Sequence, residues 1–149
     1  MGTRYRGKEE IVAALDAFIK LTRAAESVSA RVHGYLAGKG TTITQFGVLE
    51  MLLHLGPLPQ REIGRRLLRS SGNMTLVIDN LEKQGLVRRE RQESDRRFFL
   101  VHLTAEGREF IEKLFPEHAE KIAGQMQVLT REEMDELGRL CKKLGTGSA

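Results

Sequence analysis

The stretch SSGNMTLVIDNLEKQGLVRRERQESDRRFFLVHLT, residues 70–104, contains a helix pattern, a helix exit and a charged hairpin pattern in that order. Ser70 or Ser71 supplies a hydroxyl that can accept a hydrogen bond from an otherwise unpaired backbone N–H of the first turn. Gly85 is the residue type that commonly closes a helix. Between them, apolar residues recur at helical spacing, namely Met74, Val77, Ile78 and Leu81. We therefore predict an amphipathic helix that ends at Gly85.

The opposite face of this predicted helix carries mostly short or polar side chains: Gly72, Asn73, Thr75, Leu76, Asp79 and Asn80. Short side chains let a helix lie close to a base edge, while amides and hydroxyls still donate or accept hydrogen bonds there. This face therefore suits the major groove of DNA. The alternative for Asn73, Thr75 and Asn80 is an ordinary solvent-exposed polar face.

Two strand patterns follow, at 86–91 and 98–103, on either side of a charged segment that contains no apolar residue. Asp95, Arg97, Leu103 and Thr104 stand at the spacing D-x-R-x-x-x-x-x-L-T, which places an acid and a guanidinium at the hairpin tip and a helix cap behind it. Upstream, 59–67 has a helical pattern, and only Leu68-Arg69 separates it from the capping serines. Two short helices and a brief turn are typical of a helix-turn-helix, and the two-stranded hairpin makes it a winged one.

The flanking segments are predicted to be helical. A long helix covers 8–36 until Gly38-Lys39-Gly40 breaks it, and a second begins at Thr41 or Thr42 and ends at Gly56-Pro57. After the wing, Thr104 caps a helix that Pro116 kinks or interrupts. Thr130 and Glu133 form a capping-box pattern before a last helix, whose inward stripe is Met134, Leu137, Leu140, Cys141 and Leu144. The expected fold class is mainly α, an α+β winged helix-turn-helix with about six helices.

The domain organisation follows from these elements. At 149 residues the chain is expected to form a single domain, 1–149, with a winged helix-turn-helix module at 43–104. The apolar stripes of 8–37 and 105–144 exceed what the small central module can cover, so we expect a homodimer joined through these helices. Its two recognition helices, about 34 Å apart, would enter successive major grooves of a pseudo-palindromic operator. Folding of the terminal helices back onto their own module is the alternative.

Composition narrows the class of protein. With 40% hydrophobic and 30% charged residues and no long apolar run, the chain is expected to be soluble and cytoplasmic, without a membrane span or a secretory signal. The segment from Gln60 to Arg97 contains ten basic and six acidic residues, an excess equal to the net charge of +4 of the whole chain. A local basic surface can neutralise phosphates, although many basic stretches are merely solvated.

Other chemistry has little support in the sequence. The four histidines, His33, His54, His102 and His118, lie on four different predicted elements, and none stands at a metal-ligand spacing from another His or Cys. No nucleophile stands beside a base and an acid in a catalytic pattern. We therefore expect no enzyme activity, no metal and no cofactor. The single cysteine, Cys141, excludes a disulfide within the chain.

The chain resembles the multiple antibiotic resistance regulator (MarR) family, from Thr44-Gln45-Phe46-Gly47-Val48-Leu49 to the wing motif of Asp95, Arg97, Leu103 and Thr104. Within the family, the recognition-helix sequence from Ser71 to Glu82 and the pairs Phe115-Pro116 and His118-Ala119 look most like the repressors that respond to quinones and catechols. The resemblance implies a dimeric winged-helix regulator, usually a repressor. It implies release from the operator when a small, often phenolic molecule binds between the dimerisation helices and the DNA-binding module.

Carried over by position, residues 71–80 form the recognition helix, and Arg97, with Arg96 beside it, reaches into a minor groove while Asp95 orients them. The full set of predicted DNA-binding residues is Arg65, Arg69, Ser71, Gly72, Asn73, Thr75, Asp79, Asn80, Asp95, Arg96 and Arg97. The predicted effector-binding residues are His33, Phe46, Met51 and His54. The alternatives are a hairpin salt bridge without DNA contact for Asp95 and Arg97, and core packing for the effector set.

Cys141 has two interpretations. Some relatives are thiol switches, but their reactive cysteine lies near the start of the first helix, where this chain has none. We expect Cys141 to pack as a small hydrophobe, and the alternative is a redox sensor that forms an intersubunit disulfide. The resulting hypothesis for the whole chain is a ligand-responsive homodimeric repressor. The alternative is a winged-helix module that binds a protein partner without sequence-specific DNA binding.

Overall fold

The computed structural model describes residues 2–95 and 97–147. Within them the chain forms six α-helices, one 3-10 helix and three strands, which confirms the predicted fold class. In chain order these are α1 (Glu9–His33), the 3-10 helix (Leu36–Lys39), α2 (Ile43–Leu55), β1 (Leu58–Pro59), α3 (Gln60–Arg66), α4 (Ser71–Lys83), β2 (Val87–Arg91), β3 (Phe99–Leu103), α5 (Ala105–Met126) and α6 (Arg131–Thr146).

The chain divides into two compact units. The winged-helix unit runs from Tyr35 to Ala119, and the terminal-helix unit combines the chain up to Gly34 with the chain from Glu120 onward. Helices α2 to α4 and the three strands lie in the winged-helix unit, whereas α1 and α6 belong to the terminal-helix unit.

The winged-helix unit is built around one hydrophobic core. Each of its α-helices and both long strands contribute buried side chains, which are Leu36, Phe46, Val48, Leu49, Leu52, Ile63, Met74, Ile78, Leu81, Val87, Val101, Ile111 and Leu114. Three of the four apolar residues predicted for the inner face of α4 are among them, and Val77 is half-buried. Burial of this face leaves the opposite face of α4 toward solvent.

The sheet has three antiparallel strands in the order β1-β3-β2. The predicted two-stranded hairpin is β2 with β3, and β1 is an additional edge strand that the sequence analysis did not predict. β2 pairs with β3 from Val87 opposite Leu103 to Arg91 opposite Phe99. β1 adds only Leu58 and Pro59, opposite Val101 and Leu100. A strand of two residues is too short to show an alternating pattern, so the sequence gives no signal for β1. Its proline is tolerated because β1 lies at the edge of the sheet.

The base of the wing is anchored to the start of α5. Thr104 donates from its backbone N–H to the Leu86 carbonyl at 3.1 Å and from its hydroxyl to the Gly85 carbonyl at 2.6 Å, and Gly107 N–H donates back to the Thr104 hydroxyl at 3.0 Å. A Cβ at Gly107 would lie only 1.9 Å from the Leu86 carbonyl oxygen. Glycine is therefore required here for the helix to approach the wing.

Helix boundaries follow the predicted caps, with two corrections. Thr42 with Gln45, and Thr130 with Glu133, form complete capping boxes, and Ser70 caps α4. However, α1 ends at His33 instead of reaching residue 36, because the chain tightens into the 3-10 helix before the Gly38-Lys39-Gly40 break. Pro116 does not interrupt α5, which runs unbroken to Met126. Proline removes one backbone donor from the helix interior, and α5 nevertheless continues for ten residues beyond it.

The apolar residues of the terminal-helix unit are largely uncovered in the single chain. No described residue of α6 is buried, so the prediction that its apolar stripe points inward is wrong for one chain. The most exposed apolar side chains of α1 and α6 are Ile11, Phe18, Leu137, Leu140 and Leu144. Together with Cys141, which is exposed and not packed as expected, they line an open apolar groove of about 1000 Å³ between the two helices. Of the helices that the structure describes, none has the length and apolarity to cross a bilayer.

Candidate nucleic-acid interface

The helix-turn-helix is formed by α3, a short turn and α4. Leu68 in the turn adopts a left-handed conformation with φ of 53°, and the Arg69 backbone N–H donates to the Gly64 carbonyl at 2.9 Å. The Ser70 hydroxyl then accepts from the Asn73 N–H at 3.3 Å and opens α4. These local contacts fix where the predicted recognition helix begins.

The outer face of α4 is accessible over its first turns. Ser71, Gly72, Asn73 and Thr75 are exposed, and Asp79 and Asn80 further along are half-buried. Among the described residues, no heavy atom lies within 4 Å of a Cβ built at Gly72. A partner surface can therefore approach the backbone closely at the start of this helix.

Two of the predicted base-reading residues have partners inside the protein. The Thr75 hydroxyl accepts from Gln60 Nε2 at 3.0 Å and donates to the Ser71 carbonyl at 3.0 Å. Asp79 Oδ1 accepts from Arg89 Nη1 at 2.6 Å. These contacts restrict which groups Thr75 and Asp79 can present to DNA.

Arg89 is the residue of this region that the sequence analysis did not single out. Its side chain is only 14% exposed, and it also donates to Gln60 Oε1 at 3.0 Å, to Glu82 Oε1 at 3.3 Å and to the Thr75 carbonyl at 3.3 Å. It thereby ties β2 to α3 and α4. The strand alternation carried the signal, since Arg89 shares a face with the buried Val87, two residues earlier.

The tip of the wing holds an acid and a guanidinium in direct contact. Arg97 donates to Asp95 through its backbone N–H, Nε and Nη2, each at 3.1 Å, and its side chain is 84% exposed. The side-chain and backbone hydrogen bonds from Arg97 lower the pKa of Asp95. The same side-chain hydrogen bond raises the pKa of Arg97. Arg96, predicted to act beside it, lies outside the described residues. The hairpin salt bridge is present, and contact of Arg97 with DNA stays a prediction.

A small cleft separates the wing tip from the helix-turn-helix. It measures about 220 Å³ and is lined on three sides by Gln60, Arg61, Arg69, Ser71, Arg97 and Phe98, among others. The guanidinium of Arg61 lies 4.0 Å from the centre of the Phe98 ring, and that of Arg97 lies 6.0 Å from it. The Phe98 ring thus makes cation–π contacts with two guanidinium groups beside the predicted recognition helix.

On α3, the predicted phosphate contact Arg65 is paired with Glu62. Arg65 donates to both Glu62 oxygens, at 2.9 and 2.6 Å, and Arg66 donates to one of them at 2.7 Å. These hydrogen bonds lower the pKa of Glu62 to about 2. Arg65 remains exposed, as does Arg69 in the following turn.

The predicted effector residues do not all lie in one unit. His33 belongs to the terminal-helix unit, where its Nδ1 lies 3.0 Å from the Ser29 hydroxyl. Phe46, Met51 and His54 lie on α2 in the winged-helix unit. Phe46 is buried, Met51 is half-buried, and His54 is exposed with its ring centre 4.8 Å from that of Phe115.

Phe46 is part of an aromatic cluster with Tyr35 and His118 that the sequence analysis did not assemble. The ring centres of Phe46 and His118 are 4.2 Å apart, and the Tyr35 hydroxyl lies 3.1 Å from His118 Nδ1. His118 is only 3% exposed. Burial raises the pKa of Tyr35, and the negative charge of Glu117 adds to the effect. Tyr35 and His118 are 83 positions apart, so no periodicity links them.

Among the described residues, no three His, Cys, Asp or Glu side chains come together in an arrangement that could bind a metal ion. The four histidines occupy four separate elements, namely α1, α2, β3 and α5. The chemistry of this region is therefore that of hydrogen-bond donors, acceptors and cations on an exposed surface.

Comparison with known proteins identifies the family. The family model of MarR matches residues 41–98, from the start of α2 to the returning side of the wing. Over 141 residues the chain is 40% identical to the uncharacterized HTH-type transcriptional regulator YkoM of Bacillus subtilis, covering 95% of this chain and 92% of YkoM. The chain belongs to the MarR family. It is also 34% identical to the HTH-type transcriptional regulator MhqR of the same organism, over 88% of this chain and 90% of MhqR.

Solved structures of MarR-type regulators share the fold. The MarR family regulator AbsC from Streptomyces coelicolor superposes with a TM-score of 0.85 at 22% identity, covering 96% of this chain and 97% of AbsC. NadR in complex with 4-hydroxyphenylacetate gives 0.74 at 26% identity, covering 97% of each chain. Reduced AbfR bound to DNA gives 0.74 at 29% identity, covering 94% of each chain.

Membership of the MarR family decides the class of protein. The family and the two Bacillus relatives are transcriptional regulators, so this chain is a DNA-binding regulator of transcription and not an enzyme. The family assignment made from the recognition-helix and wing motifs is confirmed. The individual DNA-binding and effector-binding residues stay predictions.

Proposed function

We propose that this MarR-family regulator is a homodimeric repressor that binds a pseudo-palindromic operator and releases it when a small phenolic or quinone-like effector binds. The observation that carries the proposal is the open face of α4, with Gly72 near its start, in the same unit as a hairpin whose tip presents the 84% exposed Arg97. A thin helix edge suits the major groove, and a guanidinium on a hairpin suits a narrow minor groove.

In this proposal the module at 43–104 contacts DNA. Asn73, Thr75 and Asn80 contact base edges, Gly72 allows the close approach, and the Ser71 hydroxyl lies at the helix N-terminus, where phosphate oxygens bind well. Arg65 and Arg69 supply positive charge toward phosphates, Asp79 braces the helix, and Asp95 holds Arg97 beside Arg96. Phosphate contacts set affinity, so binding should weaken steeply with added salt.

The homodimer is proposed to form through the helices at 8–37 and 105–144. The support is the uncovered apolar surface of α1 and α6, where Phe18 and Leu144 are 62% and 66% exposed. Contiguous apolar surface of this kind marks an interaction site in soluble proteins. A second copy presents the same surface, as a two-fold interface requires.

The effector is proposed to bind within the winged-helix unit beside the cluster of Tyr35, Phe46 and His118, with Met51 and His54 as further candidate contacts. His33, in the terminal-helix unit, stays a separate candidate. A planar ring packs well against Phe46, and its oxygen can exchange hydrogen bonds with Tyr35 or His118. A tyrosine hydroxyl is protonated at neutral pH, and burial raises the pKa of Tyr35 further, so this hydroxyl can act as a hydrogen-bond donor. The NadR complex with 4-hydroxyphenylacetate, a phenol, and the similarity to MhqR support this effector class.

Selection of bound sequences from random DNA duplexes, with and without catechol or a simple quinone, tests the proposal. The expected result is an inverted repeat that is lost when the compound is added. Quinones also react with thiols, so the Cys141→Ser variant serves as a control and should respond like the parent. Binding that ignores salt, or absence of duplex binding, contradicts the proposal. A monomer without DNA affinity favours the protein-interaction alternative.

The role of Arg97 is tested by Arg97→Ala in a shift assay. We expect weaker binding to all sequences and a decrease of about one in the salt slope, since one phosphate-region cation is lost. Arg139→Ala is a matched control, because Arg139 on α6 also contacts one carboxylate through two nitrogens, at 2.7 Å each to Glu136. It should leave binding and its salt slope unchanged.

A further inference from the structure

The orientation of the Gln60 amide is fixed by Arg89. Arg89 Nε can only donate, and it lies 3.0 Å from Gln60 Oε1, so the carbonyl end of the amide faces the guanidinium. The amide nitrogen consequently points the other way, toward the Thr75 hydroxyl at 3.0 Å. A residue on β2 therefore sets the hydrogen bonding of a residue on α4 through a residue on α3.

The Thr75 hydroxyl has little left to offer a base. A hydroxyl has one hydrogen and two lone pairs. Its hydrogen is directed to the Ser71 carbonyl at 3.0 Å, and one lone pair accepts from Gln60. Within the described residues, what Thr75 can still present is its methyl group and a single lone pair.

The neighbours of Thr75 on the outer face have the same character. Leu76 is 59% exposed, and Gly72, one turn before it, has open space around its Cα. Asp79, one turn after Thr75, has its carboxylate bound to Arg89 at 2.6 Å. The centre of this face therefore presents methyl groups to a partner, and its polar atoms there are acceptors.

The bases differ in what they show to such a face. Guanine presents two acceptors in the major groove and needs donors. Thr75, Leu76 and Asp79 offer none, whereas Asn73 and Asn80 on either side of them carry amide donors. Thymine presents its C5 methyl group, which makes apolar contact with threonine methyls and other aliphatic side chains. We propose that α4 reads thymine methyl groups through Thr75 and Leu76, and that Gln60 and Arg89 are positioning residues that fix Thr75 in that role.

This inference depends on the proposed function, because it assumes that α4 enters the major groove. The test uses the full-length protein and an operator duplex obtained by selection, in which each thymine in turn is replaced by deoxyuridine. Deoxyuridine removes the methyl group and keeps every hydrogen-bonding atom. We expect affinity to fall about fourfold at one or two positions of each half-site, the effect of one buried methyl group.

Side-chain variants assign those positions. Thr75→Ser removes the methyl group and keeps the hydroxyl, so it should abolish the preference for thymine over uracil at one position. Thr75→Val keeps a methyl group at that place and should retain the preference. Leu76→Ala should reduce the preference at a second position. Thr22→Ser on α1 is a matched control, since the Thr22 hydroxyl also donates to a carbonyl one turn back, that of Phe18 at 3.0 Å.

The positioning role has its own readout. Gln60→Met keeps the length of the side chain but removes the donor to Thr75. The Thr75 side chain can then rotate about its Cα–Cβ bond, which exchanges the positions of its hydroxyl and methyl groups. We expect the thymine preference at the Thr75 position to decrease while the thermal unfolding midpoint stays within the range of an ordinary surface substitution. An unchanged preference in Gln60→Met would overturn the positioning role of Gln60 and Arg89. Arg89 itself is a poorer target, because its loss breaks contacts to both α3 and α4.

The outcomes separate the two levels of the argument. Absence of duplex binding under all conditions overturns the proposed function and this inference together. Specific binding with no difference between thymine and deoxyuridine at any position overturns only the inference. A selected half-site without thymine, or a Thr75→Ser variant that keeps the full preference, does the same.

Discussion

The two units of this regulator use their apolar residues in opposite ways. In the winged-helix unit thirteen hydrophobic side chains are buried in one cluster. Every helix and strand of the unit contributes at least one buried or partly buried side chain to it. In the terminal-helix unit α6 has no buried residue in its described length, and Leu140 and Leu144 are 48% and 66% exposed. The winged-helix unit is thus stabilised from within one chain, whereas the terminal helices leave apolar side chains uncovered.

The polar contacts differ in the same sense. On α6 the ion pairs join residues three or four positions apart, as in Arg131 with Asp135 and Arg139 with Glu136. Around α4, Arg89 instead joins three elements through Gln60 and Asp79. Local pairs on an exposed helix add little to stability, so they serve solubility. The contacts around Arg89 determine the position of side chains that face outward.

The largest expected effect concerns the core of the winged-helix unit. Ile78 is fully buried, so Ile78→Ala leaves a cavity and should lower the free energy of unfolding by about 2–5 kcal/mol. The loss should not depend on protein concentration, because the contacts lie within one chain. Chemical denaturation at two concentrations checks both statements. A loss below about 1 kcal/mol would contradict the comparison of the units.

Leu140→Asp should act on assembly instead of on the core. A carboxylate in the proposed interface would have to be buried without a partner. The dissociation constant of the dimer should therefore rise by at least about tenfold, or 1.4 kcal/mol. Sedimentation over a range of concentrations measures the change. Lys142→Asp, on the other side of the same helix, is the control and should leave the dimer intact. Equal effects of both variants would argue against the α1–α6 surface as the interface.

Gly72→Ala should separate stability from DNA binding. Alanine is favoured over glycine in a helix, and the space at this Cβ is open, so the variant should gain up to about 1 kcal/mol of stability. The same methyl group occupies the space proposed for a base edge and should weaken operator binding. Gly138→Ala on α6 also has open space and should give the stability gain alone. Unchanged operator binding in Gly72→Ala would place the DNA elsewhere.

The smallest effect concerns Glu62, whose pKa of about 2 is set by hydrogen bonds from Arg65 and Arg66. A pKa lowered by folding contributes stability above the unfolded value, near 4.3, and that contribution decreases as pH falls toward 2. Nuclear magnetic resonance titration should locate the carboxyl pKa, and Arg65→Ala should raise it. Arg139→Ala on α6 should leave it unchanged. A Glu62 pKa near 4.3 in the parent protein would contradict the contacts described for α3.

Most of the fold was accessible from the sequence because its signals are local. The spacing of Met74, Ile78 and Leu81 predicted the buried side of α4. The helix start predicted at Thr41 or Thr42 is confirmed at Thr42, and the capping box predicted for Thr130 and Glu133 is confirmed as well. β1 was missed because two residues show no period and their partners in β3 lie more than forty positions away. The early end of α1 depends on the 3-10 helix, which has no comparable signature.

The candidate site was predicted less completely, since its decisive contacts join distant positions. Arg89 was counted only as one of the ten basic residues between Gln60 and Arg97, but its guanidinium donates to Asp79 and Gln60. The pairing of Tyr35 with His118 depends on the packing of α5 near the start of the winged-helix unit. Charge counts and periodicity describe which residues are present on an element, and only the folded chain determines which of them meet.

The close approach of Gly107 to the Leu86 carbonyl constrains how the wing can vary during evolution. A Cβ at this position would lie 1.9 Å from that oxygen, and Thr104 is hydrogen-bonded both to Gly85 and to Gly107. The start of α5 and the first residue of the hairpin therefore cannot shift relative to each other. We therefore expect insertions and deletions to be tolerated better at the tip, between Gln92 and Phe98, than at this base. Reach into a groove can change by lengthening that tip, while the rest of the scaffold keeps its dimensions.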